Sequence, residues 1–359
     1  MPRDKIKINL LTFNSALSYG AVLQTYALIN VLEDLNCDVE LIDFRAPFLP
    51  PIPTGLWSLK TNYNFARIRR EILFYKFRKQ YLNKKTRSIY SLRGLKKYKF
   101  NADYYIVGSD QVWNPDITKK YAYVYFLDFV KGKKLSYAAS FGKSDWNYNE
   151  AFNNDIIRLL DDFHAISVRE EESLKILSNL FGKRGTPVLD PTLLLKDYSV
   201  LVSNLILKDQ ISCINVNYNK KIWHITSCLQ KEIGLPAFSL DGRKPFKDIL
   251  PIPYISIQNW LRYIAESKFV VTDSFHGVTF CIIFKKQFIA VNTHPGRFIR
   301  IRDLLSRLDL SERIVENESE ISVAVLLAKE IDYSKVNMKL NELSSRSINF
   351  LKTSLLSKE

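Results

Sequence analysis

Two short polar segments of this chain carry residue types suited to chemistry, and each follows a short apolar run. GSDQVWN occupies 108–114 after the run 104–107, and TDSFHG occupies 272–277 after the run 269–271. Such runs predict buried strands, and α/β proteins bind their ligands in the loops at the carboxyl ends of strands. Because the segments lie about 160 residues apart, they predict two sheets, each offering one wall of a cleft.

The first segment has the side chains of a carbohydrate-binding surface. Asp110, Gln111 and Asn114 carry groups that bond vicinal hydroxyls, and a Trp113 ring packs well on the C–H face of a sugar. We predict that Ser109, Gln111, Trp113 and Asn114 bind a saccharide acceptor and that Asp110 takes part in catalysis. The alternative is that Trp113 fills the core and Asp110 caps a helix.

A third loop precedes the first predicted helix and contains Ser15, Tyr19 and Gly20. Backbone N–H groups at a helix N-terminus attract anions. We therefore add these three residues to the acceptor-binding candidates, although many such loops have a similar sequence.

Strands and helices alternate in both halves of the chain, which predicts doubly wound parallel sheets. The predicted fold class is α/β, with two Rossmann-like domains facing a cleft. The domains are expected at 1–200 and 201–331, and a long amphipathic helix at 332–359 is expected to pack back on the first domain. Predicted strands of the first half lie at 6–11, 39–43, 104–107, 135–139, 165–168 and 188–189; those of the second half lie at 211–216, 237–240, 269–271 and 288–291.

Composition excludes several classes of protein. The chain has 359 residues, 47% of them hydrophobic, and four scattered cysteines without a CxxC pair. Disulfides, a zinc site and other metal or cofactor sites are therefore not expected. The charged amino terminus does not resemble a secretion signal, and no apolar run is long enough to span a bilayer. These features predict a soluble, cytoplasmic protein.

Positive charge is concentrated in a helical insert at 57–100. This segment holds fourteen Lys and Arg residues and one acid, Glu71, so it carries +13 of the net +15. Its apolar residues recur at helical spacing at positions 65, 68, 72 and 75, and Phe74, Phe77 and Tyr81 widen this face. A basic amphipathic helix suits an anionic membrane surface, which would place the protein on the inner face of the cell membrane. A solvated surface helix is the alternative; no nucleic-acid module is recognisable, so nucleic acid is not an expected partner.

Six ordered segments together resemble the polysaccharide pyruvyl transferase family over nearly the whole chain. They are the stretch from Asn14 through YGAVLQTYAL at 19–28, VGSDQVWN at 107–114, SYAASFG at 136–142, SVREE at 167–171, LDPT at 189–192 and TDSFHG at 272–277. The resemblance implies a glycosyltransferase-B-like fold. It also implies transfer of the enolpyruvyl skeleton of phosphoenolpyruvate to two sugar hydroxyls, which makes a cyclic ketal.

Such a reaction needs a proton donor for the enol carbon and cations for a carboxylate and a phosphate. The resemblance assigns the proton transfer to His276, and Gly277 beside it allows close approach of the backbone. Better-known members have an arginine two residues before this histidine, but this chain has Ser274. Either another arginine binds the donor, or the donor differs. Arg169, which aligns with a family arginine, and Arg297 and Arg300 are the donor-binding candidates together with Ser274 and Gly277.

Three functions therefore remain open at this point. The first is pyruvyl ketal transfer from phosphoenolpyruvate to a lipid-linked or nucleotide-linked saccharide in capsule, exopolysaccharide or O-antigen synthesis. The second is a glycosyltransferase that uses a nucleotide-sugar donor, which the presence of Ser274 favours. The third is a non-catalytic protein that binds polyanions, which only the basic insert supports.

Overall fold

The computed structural model describes residues 5–45, 62–240, 246, 248–253, 255–316 and 330–356, without the side chains of 62–67 and 297. The chain forms two compact units. The first contains 1–56, 78–195 and 341–359, and the second contains 57–77 and 196–340. Residues 57–77 thus belong to the second unit, whereas the sequence analysis assigned all of 57–100 to the first domain.

The first unit is built on six parallel strands in the order β2-β1-β3-β4-β5-β6. Their side chains are buried along nearly the whole of β3 and β4, as expected for a parallel sheet covered on both faces. The strands are β1 (Ile6–Leu11), β2 (Cys37–Leu41), β3 (Tyr104–Asp110), β4 (Lys133–Ala139), β5 (Phe163–Val168) and β6 (Thr186–Pro187).

The second unit has a similar sheet, in the order β12-β11-β10-β7-β8-β9, and its paired strands are also parallel. Its core is formed by aliphatic side chains of the central strands and of the helices that cover them. The strands are β7 (Lys208–Ile214), β8 (Ala237–Ser239), β9 (Ile249–Pro251), β10 (Ser267–Thr272), β11 (Gln287–Val291) and β12 (Ile314–Val315).

Helices connect successive strands in both units. They are α1 (Tyr19–Asp34), α2 (Asn62–Tyr81), α3 (Leu92–Lys97), α4 (Pro115–Thr118), α5 (Glu150–Asp161), α6 (Glu171–Phe181), α7 (Lys220–Ile233), α8 (Ile257–Glu266), α9 (Phe275–Ile283), α10 (Pro295–Arg307) and α11 (Tyr333–Leu356). The predicted α/β class with two Rossmann-like parallel sheets is therefore confirmed. None of the described helices is long and apolar enough to cross a membrane.

The predicted helix of the basic insert is present as α2, but its aromatic face is not available for a membrane. Phe74 is fully buried and Phe77 is 2% exposed. These two side chains are therefore packed in the core and cannot enter a membrane. Tyr81 is half-buried, and its ring packs edge-to-face on Tyr26 of α1 with the ring centroids 5.7 Å apart.

The last helix, α11, is divided between the units: its residues up to 340 belong to the second unit and those from 341 belong to the first. Each part contacts residues of its own unit. In the second unit, the Tyr333 hydroxyl donates to the Cys281 carbonyl oxygen at 3.2 Å. In the first unit, the Ser347 hydroxyl oxygen accepts a hydrogen bond from the Leu189 backbone N–H at 2.9 Å. Burial raises the pKa of Tyr333 well above its ordinary value, so this hydroxyl stays protonated and can donate.

Candidate active site at the strand ends

The GSDQVWN segment lies at the switch point of the first sheet. Strand β1 pairs with β2 on one side and with β3 on the other, so the crossovers leave it in opposite directions. The loops after β1 and β3 are joined there: the Thr12 hydroxyl donates to the Ser109 carbonyl oxygen at 3.0 Å, and the Ser109 N–H donates to Oε1 of Gln24 at 3.1 Å. Ligands of open α/β sheets bind at such points.

A buried charge network extends from this point across the ends of β3, β5 and β6. The Arg169 guanidinium forms ion pairs with Asp110 at 3.4 Å and with Asp190 at 3.2 Å. The side chains of Arg169 and Asp190 are 2% and 0% exposed, and that of Asp110 is 13% exposed. Asp110 is thus the member of the network that solvent or a ligand reaches most easily.

The backbone and the carboxylate of Asp110 are both fixed. Its φ of 83° lies in the left-handed region, which non-glycine residues rarely adopt. Its carbonyl oxygen accepts from the Ser140 N–H at 3.0 Å, and its Oδ1 accepts from the Gln111 N–H at 2.8 Å. Unfavourable backbone conformations that the surrounding contacts maintain are frequent at functional sites.

Arg169 is 3% exposed, and its ion-pair partners include Asp110 and Asp190. Two carboxylates already compensate its charge, which leaves less attraction for a donor anion. This environment favours a role in holding Asp110 in place, and donor binding by Arg169 stays a prediction.

The predicted carbohydrate-binding surface needs correction at two positions. Trp113 is fully buried: its indole stacks on Phe126 with centroids 5.2 Å apart, and its Nε1 donates to the Tyr125 carbonyl oxygen at 2.9 Å. It therefore fills the core and presents no face to a sugar. Ser109 is also fully buried, and its hydroxyl donates to Asp190 at 3.0 Å.

The remaining acceptor-binding candidates are more accessible or serve as caps. Gln111 is half-buried, and its Oε1 accepts from Nδ2 of Asn114 at 3.2 Å. Asn114 is the N-cap of α4, since its Oδ1 accepts from the Asp116 N–H at 3.0 Å. In the loop before α1, Ser15 and Tyr19 are half-buried and Gly20 is buried.

The TDSFHG segment lies at the switch point of the second sheet, where β10 pairs with β7 on one side and β11 on the other. Asp273 joins the three strand ends. Its carboxylate accepts from the N–H groups of Val216 and Asn217 at 2.7 and 3.2 Å, from the Asn217 side-chain amide at 2.9 Å and from the Thr293 hydroxyl at 3.0 Å. Burial raises the pKa of Asp273, and these hydrogen bonds limit the rise.

Ser274 and Gly277 have structural contacts that account for their residue types. Ser274 is the N-cap of α9, because its hydroxyl oxygen accepts from the Gly277 N–H at 3.1 Å. A Cβ at Gly277 would lie 2.5 Å from the Thr272 hydroxyl oxygen, so no larger residue fits without a shift. The Gly277 N–H already donates to the Ser274 hydroxyl oxygen, so a donor substrate would have to compete for it. A role of either residue in binding the donor substrate stays a prediction.

His276 is the second residue of α9 and is 8% exposed. Its ring packs edge-to-face on Phe275, with centroids 5.2 Å apart. Arg300 of α10 lies over the other partner of this pair: its guanidinium is 5.8 Å from the Phe275 ring centroid. A cation is therefore held two contacts away from His276 within the same unit.

Two other arginines, Arg297 and Arg302, lie on the same helix as Arg300. Arg302 is half-exposed and forms an ion pair with Glu316 at 2.5 Å. The Arg297 side chain, also a predicted donor ligand, lies outside the described side chains. Within the described residues, no group of His, Cys, Asp and Glu side chains is arranged to hold a metal ion.

Replacing Ser274 tests whether its side chain caps α9. Ser274→Ala is expected to lower the free energy of unfolding by about 1 kcal/mol, because the Gly277 N–H loses its acceptor. Ser274→Asp keeps an acceptor at the N-cap and is expected to retain wild-type stability. Denaturant unfolding of both variants checks this. Equal stability of Ser274→Ala and the wild type would contradict the capping role.

The polysaccharide pyruvyl transferase family model matches residues 19–295. The chain belongs to this family. The match includes both polar segments, whereas Ser15, Arg297 and Arg300 lie outside the matched residues. Membership in this family makes the chain a transferase. No curated protein matched the sequence.

Solved structures resemble the whole of this family member at low sequence identity. A putative UDP-N-acetylglucosamine 2-epimerase from Listeria monocytogenes is 10% identical with a TM-score of 0.59, covering 98% of this chain and 97% of its own. A UDP-GlcNAc 2-epimerase from Methanocaldococcus jannaschii, in complex with UDP-GlcNAc and UDP, is 13% identical with a TM-score of 0.51, covering 95% of this chain and 99% of its own. At these identities the likeness shows the fold alone.

Several residues at the switch points were not among the predicted site residues. Asp190, Gln24 and Asp273 have the largest structural roles of these. The signal that could have found them is their position inside the family segments, since each of the three lies in one of those segments. Their partners come from other strand ends and are not visible in the local sequence.

Proposed function

We propose that this transferase moves the pyruvyl group of phosphoenolpyruvate onto two hydroxyls of a saccharide as a ketal. The observation that supports the proposal most strongly is the position of His276, buried at the start of α9 on the switch point of its sheet. The reaction needs a proton donor for the methylene carbon, and a positioned imidazolium supplies one.

The proposed reaction needs few side chains, and its bonds and protons balance. His276 protonates the methylene carbon of phosphoenolpyruvate, and a sugar hydroxyl oxygen bonds to C2. A second hydroxyl oxygen then displaces phosphate from C2 and closes the ring. One hydroxyl proton restores the imidazolium and the other leaves with the phosphate. Asp110, the most exposed carboxylate of its network, is proposed to accept a hydrogen bond from an acceptor hydroxyl.

We propose Arg300 as the cation that binds the donor in place of the missing arginine. Its guanidinium is held over the Phe275 ring, and Phe275 also contacts the proposed proton donor, His276. Arg300→Gln is expected to weaken phosphoenolpyruvate binding roughly ten- to a hundredfold, since a charge-assisted hydrogen bond contributes about 1.5–3 kcal/mol. Titration calorimetry measures the change.

The matched control is Arg302→Gln, two residues further along α10 and on the other side of that helix, whose guanidinium pairs with Glu316. It is expected to leave phosphoenolpyruvate binding unchanged. Equal loss of affinity in both variants, or none in Arg300→Gln, would move the donor site away from Arg300.

A second candidate function is transfer from a nucleotide-sugar donor, which Ser274 favours because a neutral cap replaces the arginine. Thermal unfolding with phosphoenolpyruvate or with a panel of nucleotide sugars separates the two. We expect stabilisation by phosphoenolpyruvate, and phosphate release when a saccharide acceptor is added. Stabilisation by a nucleotide sugar alone would overturn the pyruvyl proposal and support the glycosyltransferase.

The acceptor is proposed to be a lipid-linked or nucleotide-linked saccharide of a bacterial surface polysaccharide such as capsule, exopolysaccharide or O-antigen. A lipid-linked acceptor requires the enzyme to work at the inner face of the cell membrane. Comparing phosphate release with each form of acceptor tests which one is used.

A further inference from the structure

The outward side of α2 presents an apolar row beside unpaired positive charge. Ile68, Ile72 and Tyr75 are 47%, 49% and 56% exposed. Their spacing of four and three residues places them on one face of the helix. The buried Phe74 and Phe77 lie on the opposite side, so the exposed row is not needed for the core.

Cations accompany this row along the helix. Arg69, Lys76 and Lys79 are all exposed. Within the described part of the chain, none of the three forms an ion pair or a side-chain hydrogen bond. Lys79 follows Tyr75 by four residues and thus continues the row, while Arg69 and Lys76 flank it. We call these six residues, from Ile68 to Lys79, the α2 outer face.

We propose that the α2 outer face docks the protein on an anionic lipid surface. Three apolar side chains in a row can enter the boundary between head groups and acyl chains, while the neighbouring cations attract anionic lipid. The single acid of the surrounding 57–100 segment, Glu71, leaves the local charge strongly positive. This inference is independent of the proposed chemistry.

The side-chain chemistry favours a bilayer over a nucleic acid. The three cations would bind the phosphate groups of a nucleic acid, but only Tyr75 offers a stacking surface to bases and the two isoleucines offer none. A lipid surface uses both parts of the face. Ile68, Ile72 and Tyr75 belong to the apolar face that the sequence predicted, whereas Phe74 and Phe77, which were expected to widen it, are buried.

Co-sedimentation with vesicles tests the proposal. We expect the full chain to sediment with vesicles of phosphatidylcholine and phosphatidylglycerol at low ionic strength, less at high ionic strength, and not with phosphatidylcholine alone. The triple variant Arg69→Gln, Lys76→Gln and Lys79→Gln is expected to partition about a hundredfold more weakly, since each cation near the surface contributes roughly fivefold. Ile72→Ser with Tyr75→Ser is expected to weaken binding even at low ionic strength.

A matched triple variant on other helices and strands controls for net charge. Lys231→Gln, Lys268→Gln and Lys352→Gln removes the same charge from exposed positions outside α2. It is expected to bind vesicles like the wild type. Equal weakening by both triple variants, or a wild-type protein that stays in the supernatant with anionic vesicles, would overturn the assignment. Binding to an oligonucleotide but not to vesicles would also overturn it.

Discussion

Replacing His276 by glutamine is expected to lower kcat for pyruvyl transfer about 10²–10⁴-fold, because positioned proton transfer contributes a factor of this size. Glutamine keeps most of the volume of the buried ring and an N–H donor, but it cannot release a proton to carbon. The stability of the variant should stay close to that of the wild type. Phosphate release and thermal unfolding, measured on the same preparation, check both expectations.

The control for this variant is His224→Gln, the same replacement at an exposed histidine of α7. It is expected to leave the rate unchanged. A well-folded His276→Gln protein with near-wild-type phosphate release would remove His276 from the reaction. A loss of phosphoenolpyruvate binding instead of kcat would assign His276 to binding.

Replacing Arg169 by methionine is expected to lower the free energy of unfolding by about 3–5 kcal/mol. The change leaves Asp110 and Asp190 buried without their cation, and removing one partner of a buried ion pair carries a penalty of this size. Arg169→Lys keeps the charge but loses the fork that contacts two carboxylates, so a smaller loss is expected. Denaturant unfolding followed by tryptophan fluorescence measures both variants.

A double variant tests the origin of this loss. Adding Asp190→Asn to Arg169→Met removes the more deeply buried of the two orphaned charges, and part of the lost stability should return. No recovery in the double variant would indicate that Arg169 stabilises the unit by packing, and a wild-type unfolding midpoint in Arg169→Met would contradict the network altogether.

Hydrophobic periodicity was sufficient to place most of the sheet strands. The run at 6–11 coincides with β1, and the runs at 104–107 and 269–271 lie inside β3 and β10. Continuous apolar runs identify strands that are buried on both faces. Strands β9 and β12 were not predicted, because two or three residues are too few to show a period.

The strand predicted at 188–189 shows where local sequence fails. Val188 and Leu189 are buried, but the paired residues of β6 are Thr186 and Pro187. The Leu189 N–H donates to the Ser347 hydroxyl oxygen, and Ser347 lies 158 residues further along the chain. No local pattern contains that partner.

The candidate site was predictable in its location but not in its contacts. Both polar segments lie at switch points, as their position after buried strands indicated. The ion pairs of Arg169 depend on which strand ends become neighbours, and this follows from sheet order. Trp113 has the residue type of a sugar-binding platform, yet the 3₁₀ segment at Lys119–Phe126 covers it.

The two switch points also place different constraints on sequence change. At the first, one arginine compensates two carboxylates in a buried setting, so replacing the arginine leaves both carboxylates without their cation, and replacing either carboxylate alters the charge balance. At the second, Ser274 is a neutral cap that several residue types can replace at small cost. Positions 110, 169 and 190 should therefore vary together or not at all among relatives, whereas position 274 can diverge alone.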